Sequence, residues 1–402
     1  MARFRGRGSV ALELEGPGER QLTFADRLQG LARRAEVSDP AEPARAVFFI
    51  VLALMGLGLM LQVSHASTTV PRSEFGAEVR HLVQFRVLGL LTLLLAYRAG
   101  LRGVERFVPA LTAMVIVMLL AVYLPVVHEQ LNGSRRWIRL PGIPFTLQPS
   151  ELARVVAVLW VARRCVMLGS RVEHARRGYL PMLAFGVALF LLILFEPDVG
   201  GSLLFILCFM STLWVGGARR AHVAGSMVVI GGAGLLFGAS AFAYVRERID
   251  VWLGYSTNDQ VTRAAEAMAS GDLFGVGLTH GGFRNQSLQY MQSDYAFSLV
   301  GEELGYVGLV LVIGLFLGFL FHSLRLVSSL RDRFSALAAF GLLVSVAFQA
   351  MLHLQVVTGL APPKGMNLPF ISEGGSALVA SCLAVGLALG AVRTSVRGRS
   401  RG

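Results

Sequence analysis

The chain has 402 residues, of which 54% are hydrophobic and 15% charged, and its formal net charge at neutral pH is +12. That balance excludes an ordinary soluble domain and points to a chain that crosses a bilayer many times. Almost all the positive charge is arginine, Lys364 being the single lysine, and the arginines cluster between apolar runs, which fits membrane orientation and anionic lipid and not nucleic acid.

Residues 1–45 are rich in Arg and Gly, contain Pro17, Pro40 and Pro43, and show no sustained helical period, so they read as a flexible basic cytoplasmic tail. The first apolar run starts near Ala46, too far from the start for a signal-peptide core and long enough to span. Ten such runs follow in order, at 46–64, 79–96, 107–127, 149–165, 179–195, 199–216, 221–243, 294–321, 335–358 and 375–392. The expected fold is therefore an all-α polytopic integral membrane protein, with a membrane domain over 46–392 and a short basic tail at 393–402. Cys165, Cys208 and Cys382 lie in or beside apolar runs without paired spacing, so they imply neither a disulfide framework nor a metal site.

An even number of spans puts both termini on one side. With the N-terminus inside, about 25 basic residues face inward and about 10 outward, the inner set including Arg163, Arg164, Arg171, Arg176, Arg177, Arg219, Arg220, Arg393 and Arg397. The orientation is N-in and C-in. The loops then assigned to the outside are 128–148, 244–293 between the seventh and eighth helices, and 359–374. The second is far longer than connections in compact domains and so is functional or disordered. Asn132 and Asn285 open Asn-x-Ser tripeptides, a pattern that also arises by chance.

Charges cluster at the outer ends of the spans. Gln148-Pro149-Ser150-Glu151 opens the fourth run with good helix-start residues, and Glu151 and Arg154, three apart, share a face and can pair, either structurally or lining a cavity. Pro197 explains a very short turn whose flanking acids, Glu196 and Asp198, are a candidate metal or substrate site or simply solvated. The stretch Gln286 to Gly308 carries Asp294, Glu302 and Glu303 where a polar loop meets an apolar helix; ionisable groups at such a boundary are functional candidates. Finally, Pro362 to Ser376 is Pro- and Gly-rich, which is tolerated at membrane depth where irregular backbone lines a cavity.

These residues carry a resemblance. Asn132-Gly133-Ser134-Arg135-Arg136-Trp137-Ile138, Gln148 to Ala153, Glu196-Pro197-Asp198-Val199-Gly200, the Gly-Glu-Glu-Leu-Gly run ending the 288–305 stretch, and Leu368-Pro369-Phe370-Ile371-Ser372 followed by Gly374-Gly375-Ser376 together resemble the SEDS family, that of FtsW, RodA and SpoVE. The motifs occur in family order over about residues 46–392. The resemblance implies a multi-pass protein of the bacterial inner membrane that polymerises lipid II into undecaprenyl-pyrophosphate-linked glycan on the outer face, in cell division or cell-shape maintenance, paired with a class B penicillin-binding protein. Asp294 matches the family's catalytic aspartate, although the preceding residues read Leu288-Gln289-Tyr290-Met291-Gln292-Ser293, without the family's Pro, Glu and His and with Ser293 in place of Thr.

The chemistry so implied needs a base for a sugar hydroxyl, positive charge for the departing pyrophosphate and a groove for lipid tails. Asp294 suits the first role. Arg135, Arg136, Arg248 and Arg284 are outer-face candidates for the second, with headgroup anchoring as their structural alternative. Glu151, Arg154, Glu196, Asp198, Ser372, Glu373, Gly374 and Gly375 complete the candidate substrate-binding set. No cofactor is required by the motifs; a divalent cation at the pyrophosphate is compatible with them, and no set of metal ligands stands out. Two other classes remain open at this point, a flippase for a lipid-linked precursor and a non-catalytic scaffold for a transpeptidase.

Overall fold

The computed structural model describes residues 39–124, 128–131, 134–139, 146–196, 198–241, 243–256, 259–283 and 291–399. Each of the ten apolar runs falls on a helix: α1 Ala41–Thr69, α2 Arg72–Glu105, α3 Val108–Ala121, α4 Pro149–Leu168, α5 Leu180–Phe195, α6 Val199–Val215, α7 Arg220–Ala241, α10 Ala296–Ser329, α11 Arg333–Val357 and α12 Gly375–Arg399. Among the described residues six helices are long and apolar enough to cross a membrane, those over Ala41–Thr69, Arg72–Glu105, Ala175–Phe195, Ala296–Ser329, Arg333–Val357 and Gly375–Arg393. The helices over Val108–Ala121 and Val199–Val215 are apolar but shorter. Leu95, Val117, Leu317 and Phe321 point away from the protein, as a surface solvated by lipid tails requires.

Small residues set how closely the helices approach. A Cβ at Gly390 would lie 2.7 Å from the Tyr97 carbonyl and one at Gly89 would lie 3.1 Å from the Cys382 sulfur, so α2 and α12 pack backbone to backbone. At the centre, a Cβ on Gly341 of α11 would meet Thr212 of α6 at 2.4–3.2 Å and Val158 of α4 at 2.5 Å, which brings these three helices together along one line.

Two outer segments read from sequence as loops are ordered. His128–Leu131, Ser134–Arg139 and Thr146–Leu147 form a small antiparallel sheet, β1-β2-β3, with Ile138 opposite Leu147. The expectation of an all-α chain thus holds for the membrane helices and is corrected by this sheet. Among its described residues the long 244–293 stretch has two helices, α8 Ala243–Trp252 and α9 Asp259–Ser270. Beyond α9, Tyr306 and Val307 donate backbone hydrogen bonds to the carbonyls of Asp272 and Leu273, 2.9 and 3.1 Å away. α10 bends at Gly305, whose φ of 67° only glycine adopts easily, and a Cβ there would run into the backbone of Gly275.

Candidate functional site

Three helix N-termini, those of α4, α6 and α12, converge through a few polar side chains. Gln148, just ahead of α4, donates from its side-chain amide to Asp198 at 3.0 Å and to Ser150 at 3.0 Å. Asp198 caps α6 by accepting from the Gly201 N–H at 2.8 Å, and Arg136 of β2 reaches its carboxylate at 3.3 Å. The Gln148 N–H donates to the Ser376 hydroxyl in the first turn of α12, which in turn donates to the Thr146 carbonyl at 2.6 Å. Exposed N–H groups and aligned dipoles at such ends favour an anion.

Asp294 stands beside this cluster, held by the last outer loop. Ser372 donates its hydroxyl to the Ser293 carbonyl at 2.6 Å, the Glu373 N–H donates to the Gln292 carbonyl at 2.9 Å, and Gln62 of α1 donates to that same carbonyl at 2.8 Å. The carboxylate lies against Gly365, where a Cβ would come within 2.5 Å of Oδ2. Glycine is needed at 365 to leave that space. α10 opens with Tyr295 at its cap position and no side-chain cap, so Asp294 is not a helix cap. Burial raises its pKa above the usual carboxylate range, while the charges of Arg136 and of Arg248 on α8 pull it back down.

Lys364 joins the same group and was not singled out from sequence. Its side chain lies over Gly200, 3.2 Å from where a Cβ would stand, and its ammonium is 3.5 Å from the Gly200 carbonyl. Burial lowers its pKa to about 8, with Asp198 opposing that shift and Arg248 adding to it. Nothing in the spacing of the chain joins Lys364 to Gly200; only the packed α6 does.

The remaining candidates separate into distinct places. Glu151 and Arg154 pair at 2.9 Å, and Arg154, 2% exposed, also donates to Gln349 of α11 at 2.6 Å. Gln349 passes the contact on by donating to the Asn367 carbonyl at 3.1 Å, so the pair braces the last outer loop from below. Glu196 is buried, not solvated, and burial followed by the nearby Asp198 raises its pKa to about 9. Gly374 lies against the Asn367 side chain and Gly375 against the Phe85 ring, both as close-packing positions. Arg284, Asn285, Pro197, Asn132 and Leu288 to Tyr290 lie outside the described residues, and for Arg135 the backbone in β2 is described but not the side chain. Glu302 and Glu303 prove to anchor the outer segment: Glu302 accepts from the Phe283 N–H at 2.9 Å, and Glu303 accepts from the Ser64 hydroxyl at 2.6 Å, which accepts from the Thr279 N–H at 2.8 Å.

Comparison with known proteins shows the family and the fold. The family model described as "Cell cycle protein", that of FtsW, RodA and SpoVE, matches residues 45–396. The chain is 33% identical over 372 residues to a probable peptidoglycan glycosyltransferase FtsW of Nitrosococcus halophilus, covering 89% of this chain and 94% of that one. It is 32% identical over 359 residues to the protein of that name from Coxiella burnetii, covering 85% and 94%. Among solved structures, a chain from a peptidoglycan synthase complex that coordinates polymerization and crosslinking superposes with a TM-score of 0.70 at 24% identity, covering 87% of this chain and 97% of that one. The rod shape determining protein RodA of Thermus thermophilus superposes with a TM-score of 0.62 at 24% identity, covering 86% and 95%. A match over nearly the whole membrane domain makes this chain a member of the FtsW/RodA/SpoVE family of polytopic membrane proteins.

Proposed function

We propose that this protein is a peptidoglycan glycosyltransferase that polymerises lipid II on the outer face of the bacterial inner membrane. The observation that carries the reading is the placement of one carboxylate, Asp294, beside Arg136, Arg248 and Lys364 where three helix N-termini meet. Asp294 accepts the proton of the acceptor sugar hydroxyl as that oxygen attacks the anomeric carbon of the lipid-linked donor. The bond to the pyrophosphate breaks, and the negative charge leaving with it is met by the basic side chains and the helix ends. A raised Asp294 pKa suits a base, since a more basic carboxylate takes a proton more readily.

Ten membrane spans with both termini inside, and so an outer-face site, are proposed on the distribution of arginines. A class B penicillin-binding protein as partner, and a divalent cation accompanying the pyrophosphate, are proposed on the family resemblance. The decisive experiment is polymerisation of lipid II by the purified protein, alone and with a co-purified transpeptidase. Asp294→Asn, which keeps the shape and removes the acceptor, should lower the rate on the order of 10²-fold or more. A flippase or a scaffold would polymerise nothing in detergent with its partner present, and an unchanged rate in Asp294→Asn would remove the aspartate from the mechanism.

A further inference from the structure

Just ahead of α12 the last outer loop meets α2 in a cluster to which the proposed glycosyl transfer assigns no role. Glu78 and His81, three apart on one face of α2, bring a carboxylate oxygen and an imidazole nitrogen within 4.8 Å of each other and of a carboxylate oxygen of Glu373. Burial and the neighbouring Glu78 push the Glu373 carboxyl up to about 7, against the opposing charge of Arg86. Arg86 does not ion-pair with either carboxylate. Its two terminal nitrogens donate to the carbonyls of Leu82 and Ile371, both at 3.4 Å, so among the described residues the cluster holds two acids and an imidazole with no ion-paired cation.

We propose that Glu78, His81 and Glu373 bind a divalent cation that ties the last outer loop to α2 and so fixes the backbone ahead of Asp294. One nitrogen and two carboxylate oxygens suit Mn²⁺ or Zn²⁺ better than Mg²⁺, which prefers an all-oxygen octahedron, and the exposed side of His81 leaves the remaining positions to water. The coupling to the site runs through a single residue. Glu373 offers its side chain to the cation and its N–H to the Gln292 carbonyl, two residues before Asp294, while the next residue back, Ser372, holds Ser293. A cation at this point would therefore act by positioning and would never touch the sugar or pyrophosphate.

The test uses full-length protein in detergent, stripped with a chelator, dialysed and titrated with Mn²⁺, with free Mn²⁺ read by electron paramagnetic resonance and no lipid II present. Binding is thus measured whether or not the protein polymerises anything. The wild type should bind one Mn²⁺ that Zn²⁺ displaces, and His81→Ala and Glu373→Gln should each weaken binding by at least about tenfold, as loss of one of three ligands requires. Glu74→Gln, a change to an exposed acid one turn away, should bind as wild type does. Hydrogen exchange in the 366–376 and 291–295 peptides should slow on adding Mn²⁺ to wild type and not to His81→Ala. If wild type binds no Mn²⁺, or if His81→Ala and Glu373→Gln bind it undiminished, the two acids share a proton and the site is not a metal site. Binding without any change in exchange would overturn the positioning role.

Discussion

The Ser372 hydroxyl donates to the carbonyl of Ser293 at 2.6 Å and accepts from the Leu368 N–H at 2.7 Å, so one side chain joins the last outer loop to the residue next to Asp294. Ser372 is 3% exposed and its hydroxyl is fully engaged with backbone, so its contribution is to place Asp294 and not to touch substrate. Ser372→Ala removes both bonds, and the buried Leu368 N–H that loses its acceptor costs about 1–3 kcal/mol before relaxation. The protein should still fold, since the Glu373 and Gln62 bonds to Gln292 remain. Polymerisation should fall by about tenfold through the rate constant, with little change in KM, because the base is displaced and the anion-binding groups are not. Restoration by Ser372→Thr, which keeps the hydroxyl, would separate this role from a simple packing defect.

The orientation has a direct check. Ser256 lies just beyond α8 and Ser170 in the turn after α4, both exposed, and the three native cysteines are buried. In intact spheroplasts, Ser256→Cys should react with a membrane-impermeant maleimide and Ser170→Cys should not, until the membrane is opened. The reverse pattern would place Asp294 in the cytoplasm and end the outer-face mechanism.

How far the sequence could be read depended on how local each feature was. The helices were legible because a span needs its own apolar run, and Glu151 and Arg154 were legible as a pair because three residues of helix set their distance. Gln349, 195 residues beyond Arg154, and Asn367, farther still, extend that pair to the last loop and have no local mark. Asp294 was legible as a candidate from its place where a polar loop meets an apolar helix, and its role only from the motifs around it. The β-sheet was missed because Ser134–Arg139 has just Trp137 and Ile138 as apolar residues, too few to show a strand's alternation. Glu78 and His81 look like ordinary exposed helix residues until Glu373 is folded against them.

The Glu151–Arg154 pair should show strong coupling. Arg154 is almost fully buried, so Glu151→Ala leaves a charge with only the neutral Gln349 to accept from it, and should destabilise by about 3 kcal/mol or more in a thermal or denaturant assay. Arg154→Ala also breaks the contact to Gln349, yet the carboxylate it frees is partly exposed and can find water. The double variant should cost less than the sum of the two singles by about 1–3 kcal/mol. Additive losses would mean that the two residues do not act as a pair.

Lys364 makes stability and activity move in opposite directions with pH. Its folded pKa of about 8 lies below the roughly 10.4 of an unfolded lysine, so between those values the unfolded chain binds a proton that the folded one does not. The contribution of Lys364 to stability therefore rises as pH climbs through about 8 and levels off above the unfolded value. Activity should go the other way, because the ammonium that faces the pyrophosphate is lost over the same interval, leaving Arg136 and Arg248 to hold the anion. Asp198 and Arg248 are the charged groups that act on the lysine. In Lys364→Met the alkaline fall in polymerisation should disappear, the rate at pH 7 should drop by about tenfold or more for want of one cation, and the protein should be more stable than wild type at pH 7, where burying the ammonium is costly. A wild-type rate that stays flat from pH 7 to about 9.5, beyond which arginines still hold their protons, would show that the charge on Lys364 takes no part in the reaction.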